Sequence, residues 1–244
     1  MLTPLHTPND GALRVVGLLS GSGSNLRALL NRQHELAQRL GRAPYEFVGL
    51  FTDNAQSQAL AIGRDFDLPV LVRDKRAYYK ARNTPLRDLA LRAEYDAETV
   101  RLLAPLGAKA AAYAGYMSIA TKPLIEAFLG INVHPADLSI RNADGSRRYT
   151  GDHAVRDAIK DGAQTLRSTT HLICPEVDGG GLLMISPAVP VELPCGAPKN
   201  DEEAKRDEAH NQSRLKEHGD WLVFPQTLED VALGRFARDE RGLL

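Results

Sequence analysis

Asn132, Val133, His134 and Pro135 end an apolar run and set a carboxamide and an imidazole two positions apart. In an extended chain alternate side chains leave the same face, so both groups can reach one pocket. Proline has no N–H to donate, and stops a strand at that point. An amide N–H can stabilise a developing oxyanion while an imidazole moves a proton. Further on, "EVDGGG" carries Asp178 into a glycine-rich loop. A carboxylate near His134 would orient the ring and favour its charged form. Each residue also has a plain reading. A lone His134 is an ordinary packed residue, and Asp178 before glycines is a turn residue. His171, just upstream, suits a buried polar role about as well as direct catalysis or a substrate contact.

A second stretch, "SGSGSN" over residues 20–25, joins an apolar run to a helical one. Gly21, Ser22, Gly23, Ser24 and Asn25 would offer small side chains and backbone N–H groups at a helix amino end, which suits a phosphate. Ser24 or Asn25 could also cap that helix. No lysine follows the glycines, so the stretch is not a P-loop. A dinucleotide fingerprint fits in part: Leu26 stands where a third glycine belongs, and Asp53 ends the next strand as a ribose-binding acid would. A tight turn without a ligand is the plain reading.

These residues need a scaffold. "LRVVGLL", "YEFVGLFT", residues 69–72, "AKAAAYAGYM", "GINVHP", "STTHLICP" and "GGLLMISPAVPV" read as strands. The alanine-rich one also suits a helix. Helical periodicity or composition marks "LRALLNRQHELAQRL" and residues 56–66, 83–106, 121–128, 152–160, 199–218 and 221–236, the last entered through Pro225. Such alternation predicts an α/β fold with an open, doubly wound, mostly parallel sheet. Sheets of that kind bind ligands at the carboxyl ends of their strands, where Asn132 and His134 fall.

Composition narrows the classes. The 244 residues suffice for a sizeable core. With 30 basic and 31 acidic side chains, no bulk charge draws the chain to nucleic acid or a membrane surface. Cys174 and Cys195 are the only cysteines and make no disulfide framework. There is no signal-like leader and no long apolar run, so a cytoplasmic protein acting on small molecules is expected. No ligand cluster of the usual spacing predicts a metal. Oligomeric state is not legible, and a homodimer is compatible with the sequence.

The ordered set "LLSGSGSNLRALL", "AGYM", "INVHP", "TTHLI" and "EVDGG" resembles the folate-dependent formyltransferases, most nearly their purine-pathway branch, from about Arg14 to Val191. The resemblance implies a Rossmann-like catalytic core over residues 12–192, with residues 193–244 as a helical extension of the same domain. It implies catalysis by Asn132, His134 and Asp178, and a substrate phosphate on Gly21, Ser22, Gly23, Ser24 and Asn25. It places the folate against Tyr116, Met117, Ser118, Ile119, Ile173, Cys174 and Val177. Glu217 resembles a family glutamate that meets the substrate, and His171 stays a candidate contact from its own position. The implied reaction moves a formyl group from 10-formyltetrahydrofolate, a co-substrate, to the amine of glycinamide ribonucleotide without a metal. A protonated His134 and Asn132 would stabilise the tetrahedral oxyanion.

The chain departs from the family pattern in places. The usual Ser-Leu-Leu-Pro after the His-Pro is missing, and residues 140–149 are polar. There Arg141, Arg147 and Arg148 form either an anion site or an exposed loop. Ser118 stands where the purine-pathway enzymes carry arginine. The region of residues 75–95 is expanded, and "HGDWLVFP" is longer than its counterpart. These changes keep other outcomes open: a different acceptor amine, hydrolysis of formyltetrahydrofolate, a dinucleotide-binding oxidoreductase, or a binding protein without catalysis.

Overall fold

The computed structural model describes residues 2–194, 196 and 200–239; Cys195 and Lys199 lie outside the described residues. Strand β1, Leu13–Leu19, buries every residue but Arg14. A run that is apolar on both faces belongs in the middle of a covered sheet. Helix α1, Ser24–Leu40, follows and buries Leu26, Leu29, Leu30 and Leu36 along one stripe. Next come β2 (Tyr45–Thr52), α2 (Ala59–Asp65) and β3 (Val70–Val72). The chain then runs through α3 (Lys75–Ala81) and α4 (Leu89–Leu103) to β4 (Ala110–Tyr113). Helix α5 (Lys122–Ala127) leads to β5 (Leu129–His134), which stops at Pro135 as its missing donor requires. Helix α6 (Ala154–Lys160), β6 (Thr169–Leu172), β7 (Leu182–Ile185), α7 (Asp201–Leu215) and α8 (Trp221–Ala232) complete the frame.

The seven strands lie in the order β3-β2-β1-β4-β5-β6-β7. The first five are mutually parallel; β6 runs antiparallel to β5, and β7 antiparallel to β6. The chain grows outward from β1 to β3, then returns to the other side of β1. That reversal opens a crevice at the carboxyl ends of β1 and β4. Helices cover both faces. Val15 and Leu19 pack with Leu26 and Leu29 of α1 and with Phe224 and Leu228 of α8. Val16 and Leu18 pack on the other side with Tyr95, Leu103 and Leu124. Ala110–Tyr113, buried throughout, is a strand and not a helix.

The helix over residues 83–106 is shorter than its pattern predicts, and α3 precedes it. Two aspartates set these starts: the Asp74 carboxylate accepts from Ala77 N, and the Asp88 carboxylate from Leu91 N. Pro225 sits inside α8 and not at its entrance. A proline inside a helix costs about 3 kcal/mol. Burial of Val223, Phe224, Leu228 and Val231 offsets this, at about 1.5–3 kcal/mol for each large apolar side chain. Among the described residues no helix is long and apolar enough to cross a membrane.

Candidate active site

The crevice is a cleft of about 370 Å³, walled by the ends of β4 and β5, the loop after β6, and α7. Asn132, His134, His171 and Asp178 all line it. Antiparallel register sets Asn132 opposite His171 and His134 opposite Thr169. The loop after β6 then folds back over the strands and brings Asp178 to both imidazoles. Its Oδ2 lies 3.4 Å from His134 Nδ1, and its Oδ1 lies 3.5 Å from His171 Nε2. Gly180 permits that path, since a Cβ there would meet the Leu172 carbonyl oxygen at 1.7 Å.

Hydrogen bonds fix the roles of the ring atoms. His134 Nε2 is 2.9 Å from the Tyr149 carbonyl oxygen. A carbonyl only accepts, so Nε2 carries a proton. Burial lowers the His134 pKa, outweighing the Asp178 charge and the Tyr149 carbonyl, which raise it. The resting ring is therefore neutral near pH 7, where the sequence predicts a charged one. Its basic atom is Nδ1, and Asp178 stands beside it to stabilise the cation formed on proton uptake. His171 donates from Nδ1 to the Leu172 carbonyl at 2.9 Å and presents Nε2 to the Asn132 amide nitrogen at 3.1 Å. Burial pushes Asp178 up, but in acid, where the imidazoles are charged, a hydrogen bond from His171 Nε2, the His134 charge and the Gly151 N–H together hold it down at about 2. The Gly151 bond is 2.8 Å long.

The glycine loop meets its expectations unevenly. Gly23, left-handed at φ 68°, is the N-cap of α1, and no side chain caps the helix. Ser24 and Asn25 are helical and not caps; the turn that Gly23 makes puts both inside the first turn. Gly21 and Ser22 are exposed at this helix end, and Asn25 alone of the five residues lines the cleft. Asn25 Nδ2 donates to Asp220 Oδ2 at 2.9 Å, while its Oδ1 is buried without a partner. Asp53 is not placed to hold a ribose. It is buried, accepts from Ser20 Oγ at 2.6 Å and from Ser118 Oγ, and lies 3.4 Å from Lys75 Nζ.

All seven residues expected at the folate side line the cleft: Tyr116, Met117, Ser118, Ile119, Ile173, Cys174 and Val177. Met117, Ile119 and Val177 are 65%, 53% and 55% exposed, an apolar rim of the kind that receives a flat ligand. Tyr116 is buried and its hydroxyl accepts from Arg92 at 2.7 Å. Glu217 is exposed and lies off the cleft; Gln212, Lys216 and Asp220 line it instead. Four-residue steps keep those three on one helical face, and Glu217 is turned away from it. Residues 216–220 form a π turn, a feature frequent at functional sites. Asp220 is buried, which raises its pKa, and accepts from Ser168 Oγ at 2.5 Å.

The arginines of residues 140–149 do not converge. Arg141 donates to the Gly145 carbonyl at 2.7 Å, and Arg148 pairs with Asp161 at 2.9 Å. Arg147 turns inward to the carbonyls of Asp178 and Gly180. Sequence reasoning missed Tyr149, Gly151 and Asp220, for which only the polar character of these loops gave a signal.

Comparisons with known proteins show what the chain is similar to. The chain is 28% identical over 223 residues to the trifunctional purine biosynthetic protein adenosine-3 of Drosophila melanogaster, covering 91% of the chain but 14% of that protein. It is 28% identical to the phosphoribosylglycinamide formyltransferase of Mycobacterium tuberculosis, over 78% of the chain and 77% of that enzyme. The solved structure of glycinamide ribonucleotide transformylase 1 from Symbiobacterium toebii superposes with a TM-score of 0.70 at 25% identity, covering 94% of this chain and 92% of that one. The formyl transferase family model matches residues 13–206, most of the cleft included, and the chain belongs to the formyl transferase family.

Proposed function

We propose that the protein transfers the formyl group of 10-formyltetrahydrofolate to the amine of glycinamide ribonucleotide, a step of purine biosynthesis. The observation that carries this reading is the meeting of Asn132, His134 and Asp178 in one cleft, with an exposed helix amino end at its rim. The apolar rim of Met117, Ile119 and Val177 suits the folate ring system, and the α1 amino end suits the ribonucleotide phosphate. Asn25 Oδ1 and Asp220 are acceptors for the donors of the ribonucleotide.

In this reading the amine attacks the formyl carbon, and the carbonyl oxygen becomes an oxyanion. An Asn132 N–H stabilises it. Neutral His134 takes a proton from the attacking nitrogen at Nδ1, and Asp178 stabilises the resulting imidazolium. That proton then passes to N10 of the folate, either directly or through water, and the C–N10 bond breaks. The products are formylglycinamide ribonucleotide and tetrahydrofolate.

The test is a spectrophotometric assay of tetrahydrofolate released from 10-formyltetrahydrofolate, run with and without glycinamide ribonucleotide. Release that requires the ribonucleotide is expected. Release without any amine would identify a hydrolase. Folate binding with no release in either arm would mean another acceptor.

A further inference from the structure

Arg147 lies in a short hairpin of residues 140–149, where Arg141 and Arg147 bridge and Arg148 N donates to the Ile140 carbonyl at 3.0 Å. Its neighbours Arg141 and Arg148 are exposed, whereas Arg147 is half-buried. One guanidinium nitrogen donates to the Asp178 carbonyl, and the other donates to the Gly180 carbonyl at 2.6 Å. We infer that Arg147 is a positioning residue for the reaction proposed above: its fork locks the Asp178 turn so that the carboxylate stays between His134 and His171.

The turn needs a lock. Asp178 has a φ of 52°, in the left-handed region that side-chain-bearing residues avoid. Gly179, Gly180 and Gly181 follow it, and three successive glycines leave the backbone many alternative paths. A planar guanidinium can bind two carbonyls at once and fix their spacing, which an ammonium cannot do. The same segment also holds the rest of the site. The Tyr149 carbonyl accepts from His134 Nε2 at 2.9 Å, and Gly151 N donates to Asp178 Oδ2 at 2.8 Å. Residues 147–151 thus fix both the acid and the ring. Arg147 itself does not line the cleft, so it acts through Asp178 and not on substrate.

The inference rests on Asp178 working in formyl transfer, and its test includes a readout independent of turnover. The proteins compared are wild type, Arg147→Ala, Arg147→Lys and the outward control Arg148→Ala. The Asp178 side-chain carboxyl is titrated by carbon-13 NMR, and kcat and KM are measured in the assay above. In wild type and Arg148→Ala, Asp178 is expected to stay ionised to the lowest pH at which the protein is folded. In both Arg147 variants it is expected to titrate at higher pH, with kcat reduced about tenfold or more and both KM values little changed. An Asp178 titration in Arg147→Lys like that of wild type would show that charge alone suffices, and would overturn the fork. So would an unchanged titration in Arg147→Ala. Should Arg147→Ala fail to fold, the lysine variant decides; failure of both would make Arg147 purely structural and end the inference. A wild type without formyl transfer would refute the proposed function alone, because the carboxyl titration still tests the lock.

Discussion

The Asn132 amide nitrogen stands 3.1 Å from His171 Nε2, across the antiparallel pairing of β5 and β6. Because His171 donates its Nδ1 proton to its neighbour's carbonyl, Nε2 is free to accept from the carboxamide. One amide N–H is thereby held by His171, and the other is left for the cleft. An oriented donor of this kind acts on a developing oxyanion without reorganising during the reaction. Asn132→Ala is expected to lower kcat by about 10²–10³-fold, the loss typical of one oxyanion donor. His171→Ala should give a smaller loss, since the carboxamide remains but is no longer oriented. Steady-state kinetics of both variants test this order, and equal losses would show that His171 does more than orient Asn132.

In the proposed reaction His134 moves the proton. It is buried, with Nε2 occupied by the Tyr149 carbonyl and Nδ1 beside Asp178. His134→Ala is expected to reduce turnover by at least about 100-fold, the lower range for loss of an acid-base group. Folding should survive, because one imidazole leaves a small space at the cleft floor. Near-normal turnover would remove His134 from the mechanism.

The pH dependence has a definite sign. The working form of His134 is neutral, and burial sets its folded pKa below the ordinary 6.5. Turnover should therefore fall as pH drops through that lowered value. Asp178→Asn removes a charge that raises the His134 pKa. Its acidic limb is expected to move to still lower pH, with a reduced plateau. A pH–rate profile whose limb moves the other way would contradict the pairing.

The same groups govern stability. Asp178 sits near 2 in the fold, against an ordinary 3.8. A depressed carboxyl stabilises the fold above its unfolded value, and that stability is lost as pH falls through the folded one. The shift corresponds to about 2 kcal/mol, at 1.36 kcal/mol per pH unit. His134, also depressed, adds a loss that begins as pH falls below 6.5. Asp178→Asn should therefore flatten the stability profile below pH 4 in urea titrations. A profile of unchanged slope would show that Asp178 is not held low.

The fold was legible where residues were locally committed. Leu13–Leu19 and Tyr45–Thr52 are apolar runs whose ends coincide with their strands. Asn132 and His134 were legible because a strand's alternation alone puts them on one face. Contacts between distant segments were not. Arg147 and Asp178 are 31 residues apart, and no local pattern announces that one guanidinium meets the other's main chain. Asp53 has the residue type of a cofactor ligand, yet Ser20, Ser118 and Lys75 occupy it. Glu217 was drawn in by similarity, but α7 and its π turn set a different face toward the cleft.

That face yields the last prediction. In the proposed reaction Asp220 faces the formyl acceptor; it is bonded to Asn25 Nδ2 at 2.9 Å and to Ser168 Oγ at 2.5 Å. The Asn25 oxygen beside it is buried and unpartnered, so a donor on the substrate would complete the pair. A hydrogen bond to a charged group contributes about 1.5–3 kcal/mol, and Asp220→Asn is therefore expected to raise KM for the ribonucleotide about 10-fold or more. The KM for the folate should stay near its original value, because Asp220 is bonded to Asn25 and Ser168 and to none of the rim residues Met117, Ile119 and Val177. Glu217→Gln, on the exposed side of the same turn, should change neither. Measuring both KM values in the two variants separates the assignments. A KM effect in Glu217→Gln with none in Asp220→Asn would return the acceptor contact to Glu217 and require the π turn to rotate when substrate binds.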